Sequence, residues 1–352
     1  MKKPIALILT DTHLKLDNID LVNAIWQQAI NKCKELKIDN IFFGGDFFTS
    51  RNAQPLDVLQ EGLNIVKAVK EAKIKLFAIS GNHDKVDLNS EKSYLDIYEP
   101  YLHLLCREQT MIFQTAPIGI YMVPYFKESG KYLEHLKEVI GMLEVSKGSK
   151  AFKCTKHILI THIAVTGVMN NDGSKVENNL TTDLFKAFDK VMTGHYHDQS
   201  KIDKNIFYIG SAYQANFGED DQKGFTILFD DGSHEFIQSD FPKYIKHIIN
   251  ISDTKKVKEV LKNKQIDSAD NIRIVFTGDD TQLSALNKEK FAEKGIDVKF
   301  EKEVIRQDLS AVLKSNTTFD RSNIKEAFNH FCKLNEYGEN EKGLEYLEKL
   351  QS

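Results

Sequence analysis

The sequence lacks most of the features that announce a function at once. Its four cysteines (Cys33, Cys106, Cys154 and Cys332) are scattered without any C-x-x-C spacing, which excludes a disulfide framework and a thiolate zinc site and leaves free thiols in a reducing compartment. There is no basic excess: 47 Lys and Arg stand against 51 Asp and Glu, for a net charge of -4, so bulk charge does not mark a nucleic-acid binder. Arginine is scarce, with only residues 51, 107, 273, 306 and 321, so bidentate readout of base edges is not a general strategy here. No stretch is long and apolar enough to span a bilayer. The apolar run from Pro4 to Leu9 meets Asp11 too early for a signal peptide. Internal repeats and low-complexity linkers are absent as well. The expectation is a cytoplasmic chain with no targeting segment and no membrane contact.

What is present is ordinary for a globular protein, with 41% hydrophobic and 28% charged residues over 352 positions. That length exceeds one hydrophobic core and predicts a large domain with something smaller attached. Ile5–Thr10, Ile41–Phe43 and Leu76–Ile79 read as buried strands. They alternate with helical spacing through Leu21, Ile25, Ala29, Cys33 and Leu36, and through Leu59, Leu63, Val66 and Val69. Such β-α-β steps imply parallel strands and an α/β fold class. Further strands are predicted at 118–123, 157–161, 190–193, 206–209, 225–229 and 235–238, the later ones as antiparallel hairpins. After Pro242 a second β-α-β-α-β series runs to about Val304, and two short helical patterns follow at 323–334 and 343–350.

The chemistry lies just after the strands. Asp11-Thr12-His13, Gly44-Gly45-Asp46, Gly81-Asn82-His83-Asp84, Thr161-His162 and Gly194-His195-Tyr196-His197 each follow a predicted strand, and the carboxyl ends of parallel strands share one ligand-binding edge. Alone, Asp11 or Asp46 is as readily a helix N-cap, and His195 or His197 a surface or core histidine. Together they form a site. Imidazole nitrogens mixed with carboxylate and amide oxygens favour Mn²⁺, admit Mg²⁺, Zn²⁺ or Fe²⁺, and disfavour Ca²⁺. The count suggests two ions, one held by Asp11, His13 and His197, the other by Asn82, His162 and His195, with Asp46 bridging. The neutral Asn82 keeps such a site electrophilic enough for phosphate. His83 is expected above the metals, oriented by Asp84, to protonate the leaving oxygen while a metal-bound hydroxide attacks a phosphodiester in line.

These five strings resemble the motifs of the calcineurin-like metallophosphoesterases. Asp11-x-His13-Leu14 and Ile209-Gly210-Ser211 are most similar to the SbcD-type nuclease subunits of DNA double-strand-break repair and recombination complexes, including their phage counterparts. The resemblance implies a four-layer α-β-β-α sandwich over residues 1–241, a small α+β DNA-capping domain at 242–305 and a helical tail at 306–352. It also implies two Mn²⁺ ions, exonuclease and endonuclease action on DNA, an SbcC-like ATPase partner and a homodimer through the helices near Leu59 and Leu95. Where that family commonly has Asp in a G-D-x-F-D pattern, this chain has Thr49.

Three finer expectations follow. Lys243, Lys246, Lys255, Lys256 and Lys258 belong to a 243–264 stretch with seven lysines against Asp253 and Glu259; they are candidate phosphate contacts, partly explained by a solvated helix face. Ile324, Phe328, Phe331 and Leu334 either dock on the ATPase or pack on their own domain. Two rival functions stay open: a nucleotide or cyclic-nucleotide phosphodiesterase, and a metal-free scaffold.

Overall fold

A computed structural model of the chain describes residues 2–113, 117–149, 154–169, 174–262, 270–284, 286, 291 and 297–302. The chain begins as the apolar periodicity requires, with β1 (Pro4–Leu9), α1 (Ile19–Leu36), β2 (Asn40–Phe43), α2 (Leu56–Glu71), β3 (Lys75–Ile79) and β4 (Leu104–Cys106). It continues through β5 (Thr110–Phe113), β6 (Ile118–Val123), α3 (Lys131–Gly148), β7 (Lys156–His162), β8 (Lys190–Gly194), β9 (Ser200–Lys201), β10 (Ile206–Tyr208), β11 (Gly224–Phe229) and β12 (His234–Gln238).

Two six-stranded sheets result, ordered β12-β11-β1-β2-β3-β4 and β5-β6-β7-β8-β10-β9. Strands β1 to β4 are mutually parallel, as are β6, β7, β8 and β10. Alternation along each strand divides the core. In β1, Leu7 and Leu9 face α1 and α2, in a cluster built around the single tryptophan, Trp26. Ile5 and Ile8 face the other sheet, in a cluster with Phe42, Phe77, Ile120, Ile160 and Met192. Beyond the second sheet, α3 buries Tyr132, Leu136, Val139 and Leu143. Helices, sheet, sheet and helix are the four layers expected. Stacking of Phe42 on Phe77 between the sheets, with centroids 4.8 Å apart, adds about 0.5–1.5 kcal/mol to the burial of the two rings.

Four features depart from expectation. The pairing of β10 is parallel to β8 rather than part of an antiparallel hairpin, although β11 and β12 do form one. The helix α3 was not anticipated, nor were the short strands β4, β5 and β9. Leu95 lies in a 3-10 turn at Tyr94–Tyr101 rather than in an α-helix and is only 2% exposed, because it packs into the chain's own core.

The segment after Pro242 forms β13 (Tyr244–Asn250), α4 (Thr254–Lys262), β14 (Asn271–Gly278), α5 (Asp280–Ser284) and β15 (Asp297–Lys302), with the strands in a parallel three-stranded sheet. Ile249, Val257, Ile274, Phe276 and Val298 give it a core of its own. It is tied to the preceding part of the chain by Gln214, which bonds both backbone groups of Tyr244, and by Lys243 on Asp221 at 2.7 Å. The tail helices, with Ile324, Phe328, Phe331 and Leu334, lie outside the described residues. No described helix is long and apolar enough to cross a membrane.

Candidate metal centre

The five strings meet at the shared carboxyl edge of the two sheets. Asp11, His13, Asp46 and Asn82 leave the first sheet after β1, β2 and β3, while His162 ends β7 and His195 and His197 follow β8. Two sets of ligand atoms result, Asp11 with His13 and His197, and Asp46 with His162 and His195, each set lying within 4.8 Å. The Nε2 atoms of His13 and His197 are 2.9 Å apart. Asn82 Oδ1 sits 3.1 Å from His162 Nε2 and 2.9 Å from His195 Nδ1. Asp46 Oδ2 lies between the sets, 3.3 Å from His162 Nε2 and 3.7 Å from His13 Nε2.

The backbone is bent to achieve this. Asp11, His13, Asp46 and His195 all have positive φ, from 44° to 88°, a left-handed conformation that costs a non-glycine residue of order 1–3 kcal/mol and persists where surrounding structure enforces it. Glycines make the room. A Cβ on Gly81 would stand 2.1 Å from Asp46 Oδ1, and one on Gly194 would stand 2.3 Å from Thr10 Oγ1. The expected N-cap alternative does not apply to either aspartate: Asp11 accepts from His195 N–H and Asp46 from His83 N–H.

Donor chemistry fits divalent cations. His162 donates Nδ1–H to the carbonyl of Gly44 at 2.9 Å, so Nε2, which faces Asp46, is the atom it would offer to a cation in place of a proton. Burial opposes ionisation of Asp11, yet His162, His13 and His197 outweigh it and hold the carboxyl at about 2. Asp46 is likewise held far below the carboxylate range, burial being overcome chiefly by His162. Conversely, His162 rises to about 9 despite burial, because of Asp46 and Asp11, while burial and then the charge of His162 push His195 down to about 4. Buried carboxylates thus demand positive charge here, and a proton on one ring supplies it where a dication would supply more.

The sequence profile of the calcineurin-like phosphoesterases matches residues 6–199, more than half of the chain. The chain belongs to that family. Among curated relatives, the putative phosphoesterase 244L of Invertebrate iridescent virus 6 is 22% identical over 294 residues, 81% of this chain and 97% of the viral one. The SbcD component of the nuclease SbcCD from Staphylococcus saprophyticus is 26% identical over 226 residues, 58% of each chain. Among solved structures, a dimetal phosphatase from Danio rerio aligns over 64% of this chain and 93% of its own, with 9% identity and a TM-score of 0.43.

In this phosphoesterase His83 borders the cluster, its ring 5.1 Å from that of His13 and edge-on to it. The expected contact with Asp84 is not formed. Instead His83 donates Nδ1–H to the Thr49 carbonyl at 2.6 Å, and burial draws its pKa below the ordinary value. Asp84 is fully buried and accepts from the backbone N–H groups of Gly81 and Phe48, so its carboxylate ties two ligand loops together. Burial, and then the charge of Asp46, raise Asp84 to about 7.

A cleft of about 1010 Å³ opens on the cluster and runs to the segment after Asp240, lined by His13, His83, His195 and His197 at one end and by Pro242, Tyr244 and Asn271 at the other. Between them lie Leu16, Ile19, Tyr213 and the acidic Asp17, Asp20 and Asp240, with Lys15 the one lysine or arginine among the described residues of the lining. The candidate phosphate-contacting lysines lie apart from that lining. Lys243 is half-buried on Asp221, Lys256 pairs with Asp253, and Lys246, Lys255 and Lys258 are exposed.

Several contributors were not among the expected site residues. Asn18 and Thr49 both donate to the His13 carbonyl, and Tyr213 donates to the Thr12 carbonyl. Glu219 accepts from His197 Nδ1 at 2.8 Å. Their shared signal is weak: polar residues in turns, 5 to 201 positions from what they hold.

Proposed function

We propose that this phosphoesterase is a metal-dependent DNA nuclease that hydrolyses phosphodiester bonds with two Mn²⁺ ions, acting in an SbcCD-like recombination and repair complex. The observation that carries the reading is the convergence of Asp11, His13, Asp46, Asn82, His162, His195 and His197 beside His83, at the end of a cleft whose far end is lined by Pro242, Tyr244 and Asn271. A relative named as a component of the nuclease SbcCD supports it.

Asp11, His13 and His197 would hold one ion, Asn82, His162 and His195 the other, and Asp46 both. When bound, the ions supply an activated water and neutralise charge on the phosphate. The rest falls to the chain. Neutral Asn82 binds without adding negative charge, so the site retains attraction for a diester. His83 lines the cleft with its Nδ1 held on Thr49; with its other nitrogen protonated as well it would steady a phosphoryl oxygen and hand that second proton to the departing oxygen, becoming the neutral ring. Asp84 keeps the loops of Asp46 and His83 in register. Lys246, Lys255 and Lys258 would meet phosphates farther along a duplex, and the tail and a second copy of the chain would complete assembly with an SbcC-like ATPase.

The test is purified protein with blunt linear duplex and single-stranded DNA, Mn²⁺, a chelator control and His83→Ala. Degradation that needs Mn²⁺ and falls about 100-fold in the variant is expected. A second reading, a phosphodiesterase of small or cyclic nucleotides, is favoured by the acidic wall of the cleft, since Asp17, Asp20 and Asp240 repel a continuous phosphate backbone. Intact DNA alongside hydrolysed nucleotides would replace the first reading with the second.

A further inference from the structure

Histidines that bind metal through one nitrogen are oriented by whatever their other nitrogen touches. In this chain the two candidate ion positions differ in that respect. His162 leans on a backbone carbonyl, that of Gly44, whereas His197 leans on the carboxylate of Glu219 at 2.8 Å. The Glu219 side chain is 5% exposed, and burying a charge without a use for it is costly. Its oxygens are pinned from several sides. Oε1 also accepts from Asn216 Nδ2 at 2.9 Å, Oε2 accepts from Ala215 N–H at 3.0 Å, and Lys223 Nζ stands 3.6 Å from Oε2. Lys223, itself fully buried, donates to the His197 carbonyl at 2.7 Å. Side chain and backbone of His197 are therefore gripped by the same short loop.

We propose that Glu219 is a positioning residue for the ion held by Asp11, His13 and His197, fixing the tautomer and rotation of the His197 ring so that Nε2 faces that ion and making it the more basic ligand. The inference rests on the two-ion reading above. It separates the two positions chemically: one is backed by a buried carboxylate and the other by a neutral carbonyl. The one backed by Glu219 gains affinity for a dication from the added negative charge.

The experiment is calorimetric titration of the full chain with Mn²⁺, accompanied by visible absorption after Co²⁺ loading. Wild type should take up two ions. Glu219→Ala should bind one of them about 10- to 100-fold more weakly, alter part of the Co²⁺ absorption and leave the other ion unchanged. Glu219→Gln, which keeps an acceptor but not the charge, should fall between. Asp221→Asn loosens the same loop from Lys243 without touching His197 and should bind both ions as wild type does. If Glu219→Ala retains both affinities, or weakens both ions equally while lowering the metal-free melting temperature, the positioning role is overturned. It is also overturned if Asp221→Asn reproduces the loss. A wild type that takes up fewer than two ions overturns the two-ion reading itself.

Discussion

His13 and His197 hold their Nε2 atoms 2.9 Å apart although 184 residues separate them in the chain. Asp11 Oδ1 is 3.7 Å from one and 3.9 Å from the other. A proton on either ring can satisfy part of this grouping, but a cation at its centre satisfies all three donors.

The left-handed backbone at His13, with φ of 44°, makes a first prediction. Asparagine tolerates that region better than histidine does. His13→Asn should lose one Mn²⁺ in calorimetry while its metal-free melting temperature stays at or above that of wild type. A drop of several degrees without metal would show that the imidazole supports the fold itself.

Gly81 supplies a second. A methyl group there would meet Asp46 Oδ1 and, at 2.5 Å, Asp46 N, and overpacking of this kind costs about 1–3 kcal/mol. Gly81→Ala should melt earlier in denaturant and bind both ions more weakly, because Asp46 faces both sets. Unchanged binding would mean that the loop relaxes freely.

His83 should be separable from metal binding. Its ring bonds the carbonyl of Thr49 and meets the proposed ligand His13 only edge-on, so His83→Ala is expected to keep two ions and lose about 100-fold in kcat. Loss of an ion would move His83 into the ligand set.

Stability should also fall with acidity for a reason remote from the metals. Burial, followed by the charges of Lys190 and Lys201, depresses His234 to about 4 in the folded chain, against about 6.5 when unfolded. As pH drops from 6.5 towards 4, the unfolded state takes up a proton that the folded state refuses, so stability present above 6.5 is lost across that window. His234→Asn can still accept from Lys190 Nζ, which lies 2.6 Å from His234 Nδ1. The variant should flatten the slope in urea titrations between pH 7 and 4.5, and an unchanged slope would assign the effect elsewhere.

Much of this architecture was legible because apolar spacing is a local signal. The runs at Ile5, Ile41 and Leu76, and the series after Tyr244, became strands and helices within a few residues of expectation. The recurrence of Asp, Asn and His after strands marked the cluster for the same reason. The partner of β10 was not legible, since a three-residue strand takes its neighbour from tertiary packing, which sequence spacing does not encode. Asp84 misled because adjacency to His83 suggested contact, whereas its oxygens were claimed by Gly81 and Phe48. The real partner, a carbonyl of Thr49, is a backbone group that any residue would supply. Glu219 sits in an acidic turn that looks like solvated surface until Lys223 is seen buried beneath it.

Both ligand sets draw on both sheets: Asp11 and His13 reach His197 across the seam, and Asp46 reaches His162 and His195. An ion at either position would act as a rivet through the sandwich, fastening segments that the polypeptide itself joins only by long detours. Metal affinity is then a gauge of how the two halves are seated. A slip of one sheet against the other, too small to disturb any strand or helix, would register first as an ion let go.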